Sequence, residues 1–142
     1  MRLLTGWKAL SGGTKSALGA ALLALVAGEA AAAASTGEIV NGQPTVDMPV
    51  VHRRGLDNLN GTASDIEMRV GETTRFGQLE ITAEACRVPR EDPAADAFAF
   101  LKVRDVRETA PRFSGWMFAS SPALSALDHP RFDVWVVSCS SD

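Results

Sequence analysis

The stretch FGQLEITAEAC, residues 76–86, decides the fold. From Leu79 to Ala85, apolar residues alternate with polar ones, and this period of two indicates a β-strand with one buried and one solvent-facing side. The stretch ends at Cys86, and the other cysteine, Cys139, ends a second apolar run near the C-terminus. The two runs predict two strands that each carry one of the cysteines.

Similar runs on either side of this stretch predict a mainly β fold. The dipeptide Asn60–Gly61 favours a tight hairpin turn, and an alternating run comes after it. We expect a small antiparallel sandwich or partly open barrel, because short strands separated by turn signals are typical of these architectures. The predicted strands cover residues 50–56, 65–70, 76–86, 97–106, 113–119 and 132–139.

One short helix is predicted between the last two strands. Ser121 followed by Pro122 is typical of a helix start, since serine can accept a hydrogen bond from a free backbone amide and proline presets φ in the first turn. Leu124 and Leu127, three residues apart, would share its buried side. A later proline ends the segment, so the helix is expected over residues 122–128.

The N-terminal residues have the anatomy of a secretory signal peptide. A basic start is followed by the apolar run ALGAALLALVA, residues 17–27, and by three alanines at 32–34 that suit cleavage. An uncleaved membrane anchor is the alternative, but the run is shorter than the roughly 20 residues that span a bilayer, and the charged Glu29 lies just beyond its end. We predict a signal peptide over residues 1–34, a periplasmic location and no stable membrane span after cleavage.

The remaining chain divides into a linker and one domain. Glycines and prolines spread through residues 35–50 predict an extended linker, and the β domain is expected over residues 51–142. Loss of residues 1–34 removes three of 14 basic and one of 17 acidic residues, which changes the net charge from −3 to −5. The remaining basic residues are scattered, so nucleic acid is not an expected partner.

The two cysteines predict a disulfide. An exported chain meets an oxidising compartment, where a pair of thiols normally closes. A Cys86–Cys139 bond would close a loop of roughly fifty residues and stabilise the fold by about 4 kcal/mol in the chain-entropy description. A metal or redox pair is the alternative, but the chain has no Cys-x-x-Cys spacing and no histidine near the cysteines to favour it.

Residues 113–139 also contain the parts of a hydrolytic triad. His129 could act as the base, and Asp128 or Asp133 could orient it. Ser120 and Ser121 lack the glycine-flanked elbow that exposes a nucleophile, so a pocket around residues 113–130 that hydrolyses or binds a small ligand stays the alternative interpretation. The candidate nucleophiles are Ser114, Ser120, Ser121 and Ser125.

Paired carboxylates and histidines are the remaining candidates for a catalytic or metal-binding site. Glu80 and Glu84 could act as an acid and a base, but they lie on the predicted solvent-facing side of a strand. The adjacent pair at residues 91–92, Glu91 and Asp92, lies in an open loop. The histidines, His52 and His129, stand at opposite ends of the domain. We predict no metal site and no cofactor.

Aromatic residues suggest a protein-binding surface. Most of the aromatic side chains between residues 113 and 135 should be core, because a domain of roughly 90 residues needs them inside. Trp116, Met117 and Phe118 point to alternate sides of a strand, so at least one should be exposed. An exposed tryptophan-methionine patch suits a protein partner. These three residues form the candidate interaction patch.

Two segments resemble the DUF2155 family, exported proteins of alphaproteobacteria with no established function. They are FSGWMFASSPALSALDHPRFDVWVVSC at residues 113–139 and VGETTRFGQLEITAEACR at residues 70–87. The resemblance covers residues 51–139 and implies a periplasmic domain with matching cysteines and no catalytic residue to carry over. The first hairpin departs slightly, with LDNLNG at residues 56–61 where relatives tend to carry a basic residue and threonine before the glycine.

These features together predict a non-catalytic interaction module. The chain is expected to dock on an envelope protein or complex through the patch around Trp116.

Overall fold

A computed structural model describes residues 38–142. These residues form nine β-strands and one 3-10 turn, so the predicted mainly β fold is confirmed. The predicted signal peptide, residues 1–34, lies outside the described residues. The strands are β1 (Ile39–Val40), β2 (Gln43–Asp47), β3 (Val50–Asp57), β4 (Thr62–Arg69), β5 (Thr73–Phe76), β6 (Leu79–Pro89), β7 (Phe98–Asp105), β8 (Phe113–Phe118) and β9 (Phe132–Ser140).

The strands form two antiparallel sheets. The larger sheet has the order β1-β2-β6-β7-β8, with β5 also paired to β6, and the smaller has the order β4-β3-β9. One apolar core joins them, with Leu101 from the larger sheet and Val134 from the smaller sheet both buried in it. Within residues 38–142, no helix has the length and apolar character that crossing a bilayer requires.

The first two strands correct the prediction of an extended linker over residues 35–50. β2 pairs with β6, where Val46 lies opposite Val88 and packs against the core. Asn41 and Gly42 both have positive φ, as a two-residue hairpin turn between β1 and β2 requires. Gly42 therefore serves a tight turn, and Pro44 lies at the start of β2, before the residues that pair with β6, where proline is tolerated.

The predicted hairpin after β3 is present, with a longer turn than expected. β3 ends at Asp57 and β4 begins at Thr62, so four residues form the loop. Gly61 has positive φ, whereas Asn60 does not. The Asp57 carboxylate accepts a hydrogen bond from the Leu59 amide at 3.0 Å, and this side-chain contact stabilises the longer turn.

A bulge in β6 redirects Cys86. The strand alternates as predicted up to Ala83, but its register with β7 then skips Glu84. One extra residue reverses the side on which every later side chain lies. Ala85 therefore leaves the core side, and Cys86 is buried in the core.

A second bulge in β9 does the same for Cys139. Pairing with β3 runs regularly to Val136, skips Val137 and resumes at Ser138. Val137 is 46% exposed. Simple alternation predicts Cys139 on the side of Trp135, but the bulge instead turns Cys139 towards the core.

The two redirected cysteines form the predicted disulfide. Cys86 and Cys139 are bonded, with their Cα atoms 5.8 Å apart, and no cysteine is free in the described part of the chain. β6 belongs to the larger sheet and β9 to the smaller, so the bond joins the two sheets across the core.

Residues 119–131, here called the strap, contain the segment of the predicted helix. Only Pro122–Leu124 has 3-10 geometry, and Ser121 makes no side-chain cap hydrogen bond. Leu127 is buried as predicted, but Leu124 is 73% exposed. A short helix therefore begins at Pro122 with Ser121 at its N-cap position, as predicted, but it is a single 3-10 turn that ends at Leu124 and lacks the predicted cap hydrogen bond.

The path of the strap explains why the helix is limited to a single 3-10 turn. Ser120 contacts Asp96, just before β7, whereas His129 contacts Asp105 at the far end of β7. The strap therefore returns along the length of a whole strand. An extended chain covers about 3.3 Å per residue against 1.5 Å for a helix, so a mostly extended path suits this distance.

Arg53 is a buried cation that links the sheets. Its side chain comes from β3, and Nη2 donates to Thr74 Oγ1 of β5 at 2.7 Å. Nε lies 3.4 Å from Met68 Sδ, and Nη1 has no partner among residues 38–142. Arg53 is 1% exposed, and burial lowers the pKa of its guanidinium to about 10.

Replacing both Cys86 and Cys139 with alanine should lower the free energy of unfolding by about 4 kcal/mol, because the unfolded chain regains the freedom of a loop of 53 residues. Urea denaturation of the oxidised protein and the variant measures this difference. The wild-type protein after reduction should unfold near the variant. Equal unfolding midpoints for the oxidised protein and the variant would contradict the stabilising role of the bond.

Replacing Arg53 with methionine should raise the free energy of unfolding by about 1–3 kcal/mol, because it removes a buried charge that no carboxylate balances and retains an unbranched side chain. Urea denaturation measures the change. Arg54→Met, at an exposed position of the same strand, is the control and should change stability by less than about 1 kcal/mol. A less stable Arg53→Met protein would show that the bond to Thr74 outweighs the cost of burial.

Candidate functional site

The predicted interaction patch divides between the two faces of β8. Trp116 and Phe118 lie on the outer face of the larger sheet and are half-buried. Met117 lies between them on the opposite face and is 1% exposed, so it belongs to the core. Its place in the patch is corrected, because adjacent residues of a strand point to opposite sides.

Two phenylalanines of β7 pack against Trp116 and Phe118; Phe100 is half-buried, whereas Phe98 is 0% exposed and supports the others from beneath. Phe100 packs edge-on against Trp116 with ring centroids 5.5 Å apart, and Phe98 packs in the same way against Phe118 at 5.7 Å. Such edge-to-face pairs stabilise by about 0.5–1.5 kcal/mol beyond the area that they bury. We call Phe98, Phe100, Trp116 and Phe118 the aromatic strip.

Ion pairs border the aromatic strip on its β6 side. Lys102 follows Phe100 on the same face of β7 and contacts Glu84 at 2.6 Å. Glu80 contacts both Arg104 and Arg75, and these two guanidinium groups hold the pKa of its carboxyl below the usual value. A carboxyl held in its charged form in this way is poorly suited to donate a proton, so Glu80 is not set up as a general acid.

A buried arginine lies at the other end of the strip. Arg87 pairs across the sheet with Phe98. Its Nη1 lies 2.7 Å from Asp47 and 3.2 Å from Glu38, and its Nε donates to Thr45 Oγ1 at 2.7 Å. Arg87 thereby attaches the N-terminal strands to β6 beside the aromatic strip.

His129 holds the strap closed instead of serving a serine. Its side chain is buried, and Nε2 lies 3.1 Å from Asp105 Oδ2. Nδ1 accepts hydrogen bonds from the backbone amides of Arg131 and Phe132, both at 3.1 Å, so the ring proton must be on Nε2. With both nitrogens engaged, His129 has no free position to act as a base.

The carboxylate that His129 binds is not one that the sequence indicated. Asp105 is buried, and Arg107 is the main reason that the pKa of its carboxyl lies below the usual 3.8. Asp133 instead accepts a hydrogen bond from the Asn58 side-chain amide at 3.0 Å. Two buried partners, an imidazole and a carboxylate, therefore close the strap, and Asp128 and Asp133 take no part.

The predicted nucleophiles are not assembled around His129. The Ser120 hydroxyl donates to Asp96 Oδ2 at 2.6 Å. Among residues 38–142, no hydrogen bond joins His129 to a serine side chain. Beside the strap lies an open, largely apolar groove of about 370 Å³, whose walls include Leu127 and Trp135.

The other residues that the sequence suggested for catalysis or metal binding do not form a site in the described part of the chain. Glu91 and Asp92 are exposed, and Asp92 accepts a hydrogen bond from the Ala94 amide at 3.2 Å. In the described part of the chain, no group of three or more histidine, cysteine or carboxylate side chains is arranged to hold a metal ion.

One constellation of polar side chains could not be seen in the sequence. His52 Nε2 lies 2.8 Å from Ser140 Oγ, although 88 residues separate the two along the chain. On its other side, His52 Nδ1 lies 3.7 Å from Glu67 Oε2. The pairing of β9 and β4 with β3 brings these residues together on the outer face of the smaller sheet. In the sequence, the alternating run after the Asn60–Gly61 turn places Glu67 on the solvent-facing side of a strand, and nothing there connects it to His52 or Ser140.

The fold and surfaces define a small β domain with two sheets, an inter-sheet disulfide and an aromatic outer face. The chain belongs to the DUF2155 family, because the sequence model of the family described as "Uncharacterized protein conserved in bacteria (DUF2155)" matches residues 52–139. The resemblance seen in the sequence is thereby confirmed.

A curated relative has no assigned function either. "Uncharacterized protein RP359" of Rickettsia prowazekii (strain Madrid E) is 24% identical over 87 residues, which cover 59% of this chain and 56% of that protein. The match thus spans little more than half of the relative's length. No solved structure matches the chain.

Replacing Asp105 with asparagine should destabilise the protein most near neutral pH. A carboxyl whose folded pKa is depressed contributes stability that is present above its unfolded value of 3.8 and is lost as the pH falls through the folded pKa. The gap in urea midpoint between wild type and Asp105→Asn should therefore shrink as the pH falls from about 4 to about 2. The exposed Asp128→Asn variant is the control and should unfold like wild type. A gap that stays constant with pH would contradict this assignment.

Proposed function

We propose that this protein is a periplasmic docking module that binds an envelope protein or complex through its aromatic strip, with no chemistry at that surface. The observation that carries the proposal is the position of Trp116 and Phe118. Both lie on the outer face of the larger sheet, although a domain of this size has reason to keep large aromatic side chains inside. A surface that retains them fits a binding role.

The composition of the strip and its border supports a protein partner. Tryptophan is enriched among the residues that contribute most to binding, and a polar rim around an apolar centre is the usual anatomy of an interface. Here Trp116 and Phe100 form the centre, and the Lys102–Glu84 ion pair lies at the rim. Rim charges of this kind orient a partner more than they add affinity.

The disulfide supports the proposed compartment. Bonds of this kind persist in oxidising surroundings and are rare where thiols are kept reduced. The Cys86–Cys139 bond joins the two sheets inside the core, so it is part of the folded architecture. Together with the signal-like sequence of residues 1–34, it favours export to the periplasm.

A photo-crosslinking amino acid at position 116 should capture one defined envelope protein in living cells, because Trp116 would contact the partner directly. The same group at Val137, which is exposed on the other sheet, is the control and should not capture it. Trp116→Asp should reduce co-purification of that protein by about tenfold or more, since losing a central aromatic contact costs about 2 kcal/mol or more. Equal recovery with wild type and Trp116→Asp would contradict docking through the strip.

A further inference from the structure

We propose that Ser140, His52 and Glu67 form a hydrolytic site for carboxylic esters on the outer face of the smaller sheet. This activity goes beyond the proposed docking role and uses the opposite sheet. One contact is central to the site: Ser140 Oγ lies 2.8 Å from His52 Nε2, within the range of a nucleophile and its base.

A carboxylate stands on the other side of the imidazole. Glu67 Oε2 lies 3.7 Å from His52 Nδ1, and cross-strand pairing of β3 and β4 places these two residues directly opposite each other. The negative charge of Glu67 favours the tautomer with its proton on Nδ1. That tautomer leaves the lone pair of Nε2 facing Ser140, as a general base requires.

The bulge in β9 creates this arrangement. Without the extra residue Val137, Ser140 would follow the even-numbered residues of β9 into the core. The bulge sends Ser140 to the outer face, where it lies diagonally across from His52, while Cys139 turns inwards. Bulges are over-represented next to active sites because they re-aim single side chains in this way.

A groove that can hold a substrate lies next to the site, with His52 and Glu67 in its wall and Ser140 just outside it, beyond His52 along β3. The groove has a volume of about 410 Å³, and its walls include His52, Arg54, Glu67 and Val137. Arg54 uses two N–H groups on the Asp65 carboxylate, at 2.5 and 2.8 Å. A guanidinium carries five N–H donors, so Arg54 retains donors for a polar group of a substrate lying in the groove.

The reaction consumes water and leaves the protein unchanged. Ser140 Oγ bonds to the carbonyl carbon of the ester while His52 Nε2 takes the hydroxyl proton. The bond from this carbon to the alcohol oxygen breaks, and the departing oxygen receives the proton from Nε2. Water then attacks the acyl group on Ser140 and gives a proton to His52, which returns it to Ser140 as the carboxylic acid leaves.

The geometry favours esters over amides. At 3.7 Å, the contact between Glu67 and His52 is longer than a hydrogen bond, so it orients the ring more weakly than a direct bond would. The single proton of the Ser140 hydroxyl is donated to the backbone carbonyl oxygen of Asp142 at 2.7 Å, so it must turn to His52 Nε2 before the serine can attack. A moderately activated serine suits a leaving group that departs without strong proton donation, and alcohols leave more readily than amines.

A fluorophosphonate probe tests the proposed site on the purified, oxidised protein. We expect the probe to label Ser140, as read by mass spectrometry of the digested protein, and we expect p-nitrophenyl acetate to leave an acetyl group on the same residue. Ser140→Ala should abolish both products. His52→Gln should slow them by about 100-fold, the effect of losing a general base.

A neighbouring serine provides a matched control. Ser141→Ala keeps the Ser140–His52 contact and should react within about twofold of wild type, a change well below that of losing a general base. Urea denaturation checks that each variant folds. Labelling no greater than that of Ser140→Ala, or labelling at another residue, would overturn the proposal. The Trp116→Asp protein should still be labelled, so this test is independent of docking through the aromatic strip.

Discussion

The covalent bond between Cys86 and Cys139 is the constraint on which the rest of the molecule depends. It joins the two sheets across the core, and it exists only because a bulge in each of two strands turns a cysteine inwards. A slip of one residue in either strand would move its cysteine to the outer face and leave the sheets without their link. The two bulges are therefore features that the fold requires, and they bend the strands that carry them.

The strap completes the core on the side between β8 and β9. It is anchored by a buried polar pair, His129 and Asp105, and by the buried side chain of Leu127. A buried charge is costly unless its hydrogen bonds are satisfied, and here Arg107 and His129 both bind the Asp105 carboxylate. His129 therefore has a structural role as a hydrogen-bond partner of Asp105, although the sequence suggested it as a catalytic base.

The outer faces of the two sheets have different characters. The larger sheet presents the aromatic strip, which fits a surface for a protein partner. The smaller sheet presents His52, Glu67 and Ser140 beside a groove lined by both polar and apolar side chains, and the bulge in β9 turns the serine to this face. The bulge at Val137 thus turns Cys139 towards the core, where it forms the disulfide, and turns Ser140 to the outer face. Docking and chemistry, as proposed, occupy separate surfaces.

The amino-acid sequence by itself determined the antiparallel β class, most of the strands and the pairing of the two cysteines. These features come from local period-2 patterns and from counting cysteines, and neither depends on distant contacts. Met117 could also have been assigned to the core, because its neighbours on both sides were candidates for the surface. Only the tertiary structure decided the two bulges, the extended strap and the partners of His129. A bulge is set by the register of two strands far apart in sequence, and the buried Asp105 lies 24 residues from the histidine that it holds. Contacts between residues so far apart produce no periodic pattern in the sequence. The contact between His52 and Ser140 could therefore be identified only from the assembled sheets.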